Sequence, residues 1–378
     1  MSPTPVTTNL PTQPASYSWE ATDEEVAARY DVPIEQVVRF DLNTSPAPPA
    51  LVAGLLAAGR FDTPLSEYPP SDYRRLVAAA AARYGVAPEE LLVGAGADEI
   101  LDIIAKVLIP PGGRAVVPTP SYAMYRVLTE QRGASVVAVP RQGADAGYAM
   151  DVDAVRTAAT EADLVWLCSP NNPTGLPEPE GAIERLLDGM AVDAAAAGRD
   201  PVPVVLDEAY AEFVDRSLVG LRERFPNLIV VRTASKAYAL AGLRVGFAIA
   251  RPEVIGRLNP YRPPGSVSTV SVTVVTEALL DPEAATENIT RVEAERERLR
   301  AGLTDAGWSV GPSVTNFLLV DFGSVERAAV VAEGLLQRGL VPRTFPATHP
   351  LADHLRLTVR SPEEDDRLLA AARELGPR

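Results

Sequence analysis

Seven short apolar runs, rich in β-branched residues, recur between residues 91 and 249: Leu91–Val93, Ala115–Val117, Val136–Val139, Leu164–Leu167, Val202–Leu206, Leu228–Val231 and Val245–Ile249. Most are too short for helices and apolar on both faces, as strands covered on both sides of a parallel sheet would be. Helix-like segments separate many of them, so this part of the chain reads as a doubly wound α/β unit. Ser71 is placed to cap a helix running through Ala78–Arg83, and Gly85 to end it. The C-terminal third differs. A charged helical stretch covers 283–306, then come a strand at Asn316–Val320 and a helix near 325–338, which together predict a smaller α+β unit. Residues 1–18 are rich in proline and threonine and read as a surface-draped or mobile arm. Thr22 and Glu25 then form a capping-box pattern before a short helix reaching Tyr30. The expected division is an arm and short helix over 1–45, a large unit over 46–275 and a small one over 276–378.

Composition narrows the chemistry. A 378-residue chain buries enough surface to need no covalent staples. It has one cysteine, Cys168, so neither an intramolecular disulfide nor a thiolate metal cage is available, and two late histidines, His349 and His354. No metal site is expected. The 35 basic and 50 acidic residues leave a net charge of −15, which argues against nucleic acid or an anionic membrane as partner. The first 28 residues hold no lysine or arginine and no signal-like apolar run, and no stretch reaches membrane-helix length; a cytoplasmic enzyme is expected. Lysine occurs twice, at Lys106 and Lys236, neither in a G-K-[ST] context, which removes a P-loop. Any lysine-dependent chemistry is a choice between the two.

In an open α/β sheet, ligands bind outside the carboxyl ends of the strands. The segments immediately after the runs are GAGADE (94–99), PTPSY (118–122), SPNNPTG (169–175), DEAY (207–210) and RTASK (232–236) with AGLR (241–244). Singly these are weak: a G-x-G lacks the third glycine of a dinucleotide fingerprint, and a Pro/Asn/Gly cluster reads as a turn. Together they gather polar, ionisable and aromatic groups at one sheet edge.

The set PTPSYAMY, SPNNPTG, VVLDEAYAEF, RTASKAYALAGLRVGFAIA and LRLTV resembles the fold-type-I pyridoxal-phosphate aminotransferases, and within them the histidinol-phosphate aminotransferase branch. The resemblance implies a large, mostly parallel seven-stranded sheet domain and a smaller α+β domain, with pyridoxal 5'-phosphate as cofactor. It implies that Lys236 forms the Schiff base and shuttles a proton, a task arginine cannot perform because it does not deprotonate. Lys106, in mid-helix, reads as a solvated helix lysine. Asp207 is the implied partner of the pyridine nitrogen. Asn172 and Tyr210 would meet the phenolic oxygen, and Tyr122 would stack on the ring. Gly96, Ala97 and Asp98 would present a helix N-terminus to the phosphate, joined by Thr233, Ser235 and Arg244. Tyr68 matches a tyrosine that the family sends to a neighbour's phosphate, so a homodimer with shared sites is implied. Asn43, Asn172, Arg343 and Arg356 would meet the substrate, the two arginines reading its carboxylate or phosphate.

Three departures fall near that substrate. LNTSP (42–46) keeps Asn43 but loses the family's glutamate; RPPGSVS (262–268) has Gly265 and Ser266 for tyrosine and asparagine; and the strand LRLTV is followed by Arg360 instead of glycine. A missing tyrosine would enlarge the pocket and an added arginine would alter its charge. The expected activity is transfer of an amino group from a small amine donor to a 2-oxo acid, in amino-acid biosynthesis. The donor could be histidinol phosphate, an aromatic amino acid or another amino acid. A decarboxylase of the threonine-phosphate type shares the cofactor motifs and stands as the alternative; its N-terminal His-Gly-Gly-Asn pattern is absent.

Overall fold

A computed structural model describes residues 15–377; most of the proline-rich arm (1–14) lies outside the described residues. The seven apolar runs are seven strands of one sheet: β1 (Leu91–Gly94), β2 (Arg114–Thr119), β3 (Ser135–Pro140), β4 (Leu164–Cys168), β5 (Val204–Asp207), β6 (Leu228–Thr233) and β7 (Gly246–Ile249). Their spatial order is β1-β7-β6-β5-β4-β2-β3. Strands β2 to β6 pair in parallel, and β7 runs against its two neighbours. β5 starts two residues later than its apolar run because Pro201 and Pro203 interrupt the entry; Pro203 has no N–H to give, although its carbonyl still accepts from Val165.

Alternation divides the strand side chains between two cores, one on each face. Val116, Val165, Leu206 and Val230 belong to one; Ala115, Trp166, Val205 and Ile229 belong to the other. Burial on both faces is why these strands read as unbroken apolar runs.

The helix expected after Ser71 begins later. It spans Arg74–Tyr84 with Tyr73 at its N-cap in a left-handed conformation (φ 45°), and the Arg74 amide is met by Asp72 Oδ1 at 3.2 Å. Ser71 therefore does not cap it. Gly85 does end it, at φ 66°. The capping box at Thr22 and Glu25 forms as the sequence indicates and opens the helix Asp23–Tyr30.

The C-terminal unit has the long helix Glu283–Asp305, a three-stranded antiparallel sheet (Ser309–Val310, Phe317–Asp321, His354–Thr358) and the helices Val325–Leu336 and Pro362–Leu375. An N-terminal segment is stitched into it: Val38 and Arg39 pair in parallel with Leu340 and Val341, and Val38 and Phe40 enter the same core as Leu318 and Leu357. No helix among the described residues is long and apolar enough to cross a membrane.

Candidate active site

β2, β4, β5 and β6 end together, and the loops leaving them surround a cleft of 640 Å³ closed on the far side by the C-terminal unit. Lys236, in the loop just after β6, lies at its floor. Its Nζ donates to the Asn43 carbonyl at 3.1 Å and stands 5.9 Å from the centre of the Tyr210 ring. Burial, reinforced by the Arg356 charge, pushes its ammonium from 10.5 down to about 8. This is an amine prepared to be a nucleophile. Lys106, by contrast, is half exposed and paired with Asp102 on its own helix.

Asp207, the last residue of β5, is buried at the same floor. Its Oδ1 accepts from its own turn, the Ala209 amide, at 3.0 Å, and its Oδ2 accepts from the Tyr125 hydroxyl at 2.8 Å. Burial raises its carboxyl to about 6, and those two hydrogen bonds oppose the rise. Tyr210 is held by Asn43, whose Nδ2 donates to the phenolic oxygen at 2.9 Å, and by the edge of Phe317. Asn43 sits in the left-handed region (φ 52°), tolerated more readily by asparagine than by most residues. Its amide donates to Thr358 Oγ1, while its carbonyl serves both Lys236 and Asn316.

Beside Lys236 is a corner built for an anion. The helix Gly96–Leu108 begins at the cleft, where Ala97 and Asp98 line it. Gly96 (φ 81°) lies just behind, where a Cβ would fall 2.6 Å from Arg244 Nη2. Gly246, in β7, is more constrained: a Cβ there would lie 2.4 Å from the Gly96 carbonyl carbon and 2.5 Å from the Ala97 nitrogen. The two glycines seat the helix end against the sheet. Thr233 and Ser235 face each other across 2.9 Å, and Arg244 Nη2 donates to Asp98 Oδ2 at 3.1 Å. Free amides, two hydroxyls and a guanidinium suit a phosphate. Asp98 also accepts from the Tyr122 hydroxyl at 3.0 Å, which holds that ring at the cleft wall.

The opposite end carries two arginines that are cross-strand neighbours, each one's amide donating to the other's carbonyl. Arg356 is buried. Its Nη1 donates to Asn172 Oδ1 at 2.6 Å, its Nη2 donates to the Asp41 carbonyl, and its Nε has no partner among the described residues. Asn172 thus has its carbonyl occupied and its amide group left for a ligand. Arg343 also lines the cleft, but the N-terminal segment engages it: Nη1 donates to the Ser18 carbonyl at 2.6 Å, Glu20 lies at 3.6 Å, and the Tyr17 ring covers the guanidinium at 5.1 Å.

Most of the site residues expected from sequence therefore meet in one cleft. Tyr68 does not: it is 90% exposed and lies outside the lining. The departures also lie outside it. Ser266 donates to Glu99 Oε2, and Gly265 (φ 68°) faces the Tyr68 ring. Arg360 turns to Thr44 and Glu364, so it braces the 42–46 segment and does not add its charge to the cleft. Sequence reasoning missed Tyr125, Gly246 and a buried pair, Arg141 and Glu178. Arg141 ties Pro120, Tyr148 and Asn171 together, fixing the loops that carry Tyr122 and Asn172. Tyr125 was within reach, since it stands three positions after Tyr122 in the helix that Tyr122 caps.

The family profile for aminotransferase class I and II matches residues 42–371. The histidinol-phosphate aminotransferase of Roseiflexus castenholzii is 37% identical over 363 residues, covering 93% of each chain. That of Xanthomonas campestris pv. campestris is 41% identical over 319 residues, 82% of this chain and 85% of its own. Among solved structures, the histidinol-phosphate aminotransferase of Sinorhizobium meliloti in complex with pyridoxal-5'-phosphate superposes with a TM-score of 0.82 at 27% identity, over 95% of both chains.

Proposed function

Because the chain belongs to the class I and II aminotransferases, we propose that its cleft holds pyridoxal 5'-phosphate on Lys236 and moves an amino group from a small amine donor to a 2-oxo acid. The observation that carries this reading is the pairing of a buried, readily deprotonated amine with a buried carboxylate beside an anion corner. When bound, the cofactor supplies the electron sink that stabilises a carbanion at the substrate's Cα. Lys236 accepts and returns the proton at that carbon. Asp207 holds a proton on the ring nitrogen, and Asn172 and Tyr210 donate to the phenolic oxygen. Tyr122 covers one ring face. The amides of Gly96, Ala97 and Asp98, with Thr233, Ser235 and Arg244, bind the phosphate. Arg356, buried at the cleft with its Nε without a partner among the described residues, meets the substrate's anionic group. Residues 46–275 form the cofactor-holding unit and 276–378 the smaller unit that covers it. Tyr68, exposed as it is, reaches the phosphate of a second copy in a homodimer; small soluble reactants suit a cytoplasmic enzyme.

The donor is of the histidinol-phosphate kind, as the relatives' names suggest. One observation favours a second reading, an aromatic amino acid. Arg343, the second candidate for a phosphate, is already engaged by Ser18 and Glu20 beneath the Tyr17 ring. The relatives are named as aminotransferases, which favours group transfer over the decarboxylase alternative. A donor panel of histidinol phosphate and the aromatic amino acids, run as single half-reactions on the parent and on Arg343→Ala, tests both. Loss of phosphorylated donors alone in the variant assigns Arg343 to phosphate. Equal losses assign it to the arm, and inertness toward every donor refutes the aminotransferase reading.

A further inference from the structure

The anchor behind Asp207 has no assigned part in the chemistry, and its construction is specific. Tyr125 lies on the helix Ala123–Gln131, away from the cleft and fully buried. Its ring stacks on Trp166 with centroids 5.4 Å apart and an interplanar angle of 8°, and meets the Tyr122 ring edge-on at 5.6 Å. Thr129 completes the clamp, donating to the Tyr125 carbonyl at 2.7 Å and accepting from Trp166 Nε1 at 3.2 Å. Packing against three rigid groups leaves the phenol one position, and in that position its hydroxyl donates to Asp207 Oδ2 at 2.8 Å.

Resting on the cofactor reading above, we infer that Tyr125 is a positioning residue. It fixes the plane of the Asp207 carboxylate and keeps it charged against the cofactor's ring nitrogen. A carboxylate at this depth needs donors to remain ionised, and among the described residues the other donor to its side chain is the Ala209 amide. The other charged and titratable groups that act on it are Asp98, which opposes ionisation, Lys236, which favours it, and the neutral Tyr210 and Cys168 side chains. A phenol suits the position because burial lifts its own ionisation well above the usual range, so it stays a donor at any working pH. Tyr122 caps the N-terminus of the helix that carries Tyr125, so one element places both the ring at the cleft wall and the donor to Asp207.

Tyr125→Phe keeps the stack on Trp166 and removes the donor alone. Two measurements are made on the purified protein with pyridoxal 5'-phosphate: the cofactor's dissociation constant and the pH midpoint of its visible band when bound. The expected result is about tenfold weaker binding, the worth of one hydrogen bond to a charged group. The midpoint should also rise by about half a unit or more, because a looser ring proton makes the ring less electron-withdrawing. Thr129→Val, which disturbs the same packing but spares the donor, should leave the midpoint in place. In the double variant with Asp207→Asn, the Tyr125→Phe effect should vanish. An unmoved midpoint in Tyr125→Phe, an equal shift in Thr129→Val, or additive effects in the double variant overturns the inference. Failure of the parent itself to bind the cofactor would refute the cofactor reading instead.

Discussion

Replacing Gly246 with alanine should damage the phosphate corner without touching any group that contacts the phosphate. The added methyl would lie 2.4 Å from the Gly96 carbonyl carbon and 2.5 Å from the Ala97 nitrogen, where ordinary contact begins at 3.4 Å. The helix end must therefore retreat by roughly 1 Å, the difference between those separations, since backbone on both sides leaves no flexible side chain to yield. Overpacking of this kind costs about 1–3 kcal/mol. A retreat of about 1 Å also carries the leading amides from about 2.9 Å out of hydrogen-bond range of a phosphate held by Thr233, Ser235 and Arg244. Loss of one such bond corresponds to about a tenfold rise in the cofactor's dissociation constant, at about 1.4 kcal/mol per decade. Denaturant melts of the cofactor-free protein give the first quantity and absorbance titration with pyridoxal 5'-phosphate the second. Gly256→Ala is the control, because a Cβ there meets nothing within 4 Å. If Gly246→Ala matches that control in both assays, the close approach of helix to sheet is not what forms the corner.

Two further outcomes concern the lysines. Lys236→Ala should abolish the visible chromophore of the bound cofactor while Lys106→Ala leaves it intact; a chromophore surviving in Lys236→Ala would assign the attachment elsewhere. In the cofactor-free protein, Lys236→Met should also reveal the cost of burying the ammonium. The folded state binds that proton less tightly than the unfolded one, so the parent gains stability as pH rises from about 8 to 10.5. At a pH of about 7 the methionine variant should be more stable by up to about 3 kcal/mol, with the advantage fading through that window; an advantage that does not change with pH refutes a lowered amine.

The strands were legible because burial on both faces leaves an unbroken β-branched run, and the groups on their carboxyl ends were legible because chemistry demands particular residue types there. Boundaries were less so. Ser71 has the right side chain for a cap, but Pro70 and the left-handed Tyr73 delay the helix start to Arg74. What escaped reading depends on three-dimensional proximity: Arg141 and Glu178 are 37 residues apart and meet only across folded loops. Gly246 looks like an ordinary strand glycine until the helix start is set against it. Arg360 reads as a pocket charge because its neighbour Arg356 is one side of the cleft, yet the strand ends at Thr358 and the turn after it sends the later guanidinium to Thr44.

The segment around Asn43 carries a consequence for how the enzyme comes into being. Its contacts include Thr358, Asn316 and Lys236, separated from it by 315, 273 and 193 positions. A ribosome that has released Lys236 and Asp207 into a folded sheet has still not made the strand that closes the cleft over them. Until residues 354–358 emerge, Val38 to Asn43 lack the Thr358 acceptor and the Leu355 and Leu357 side chains of their core. Completing the site therefore requires loop closure across most of the chain. Premature termination before this strand should leave a structured sheet unit without a finished catalytic pocket.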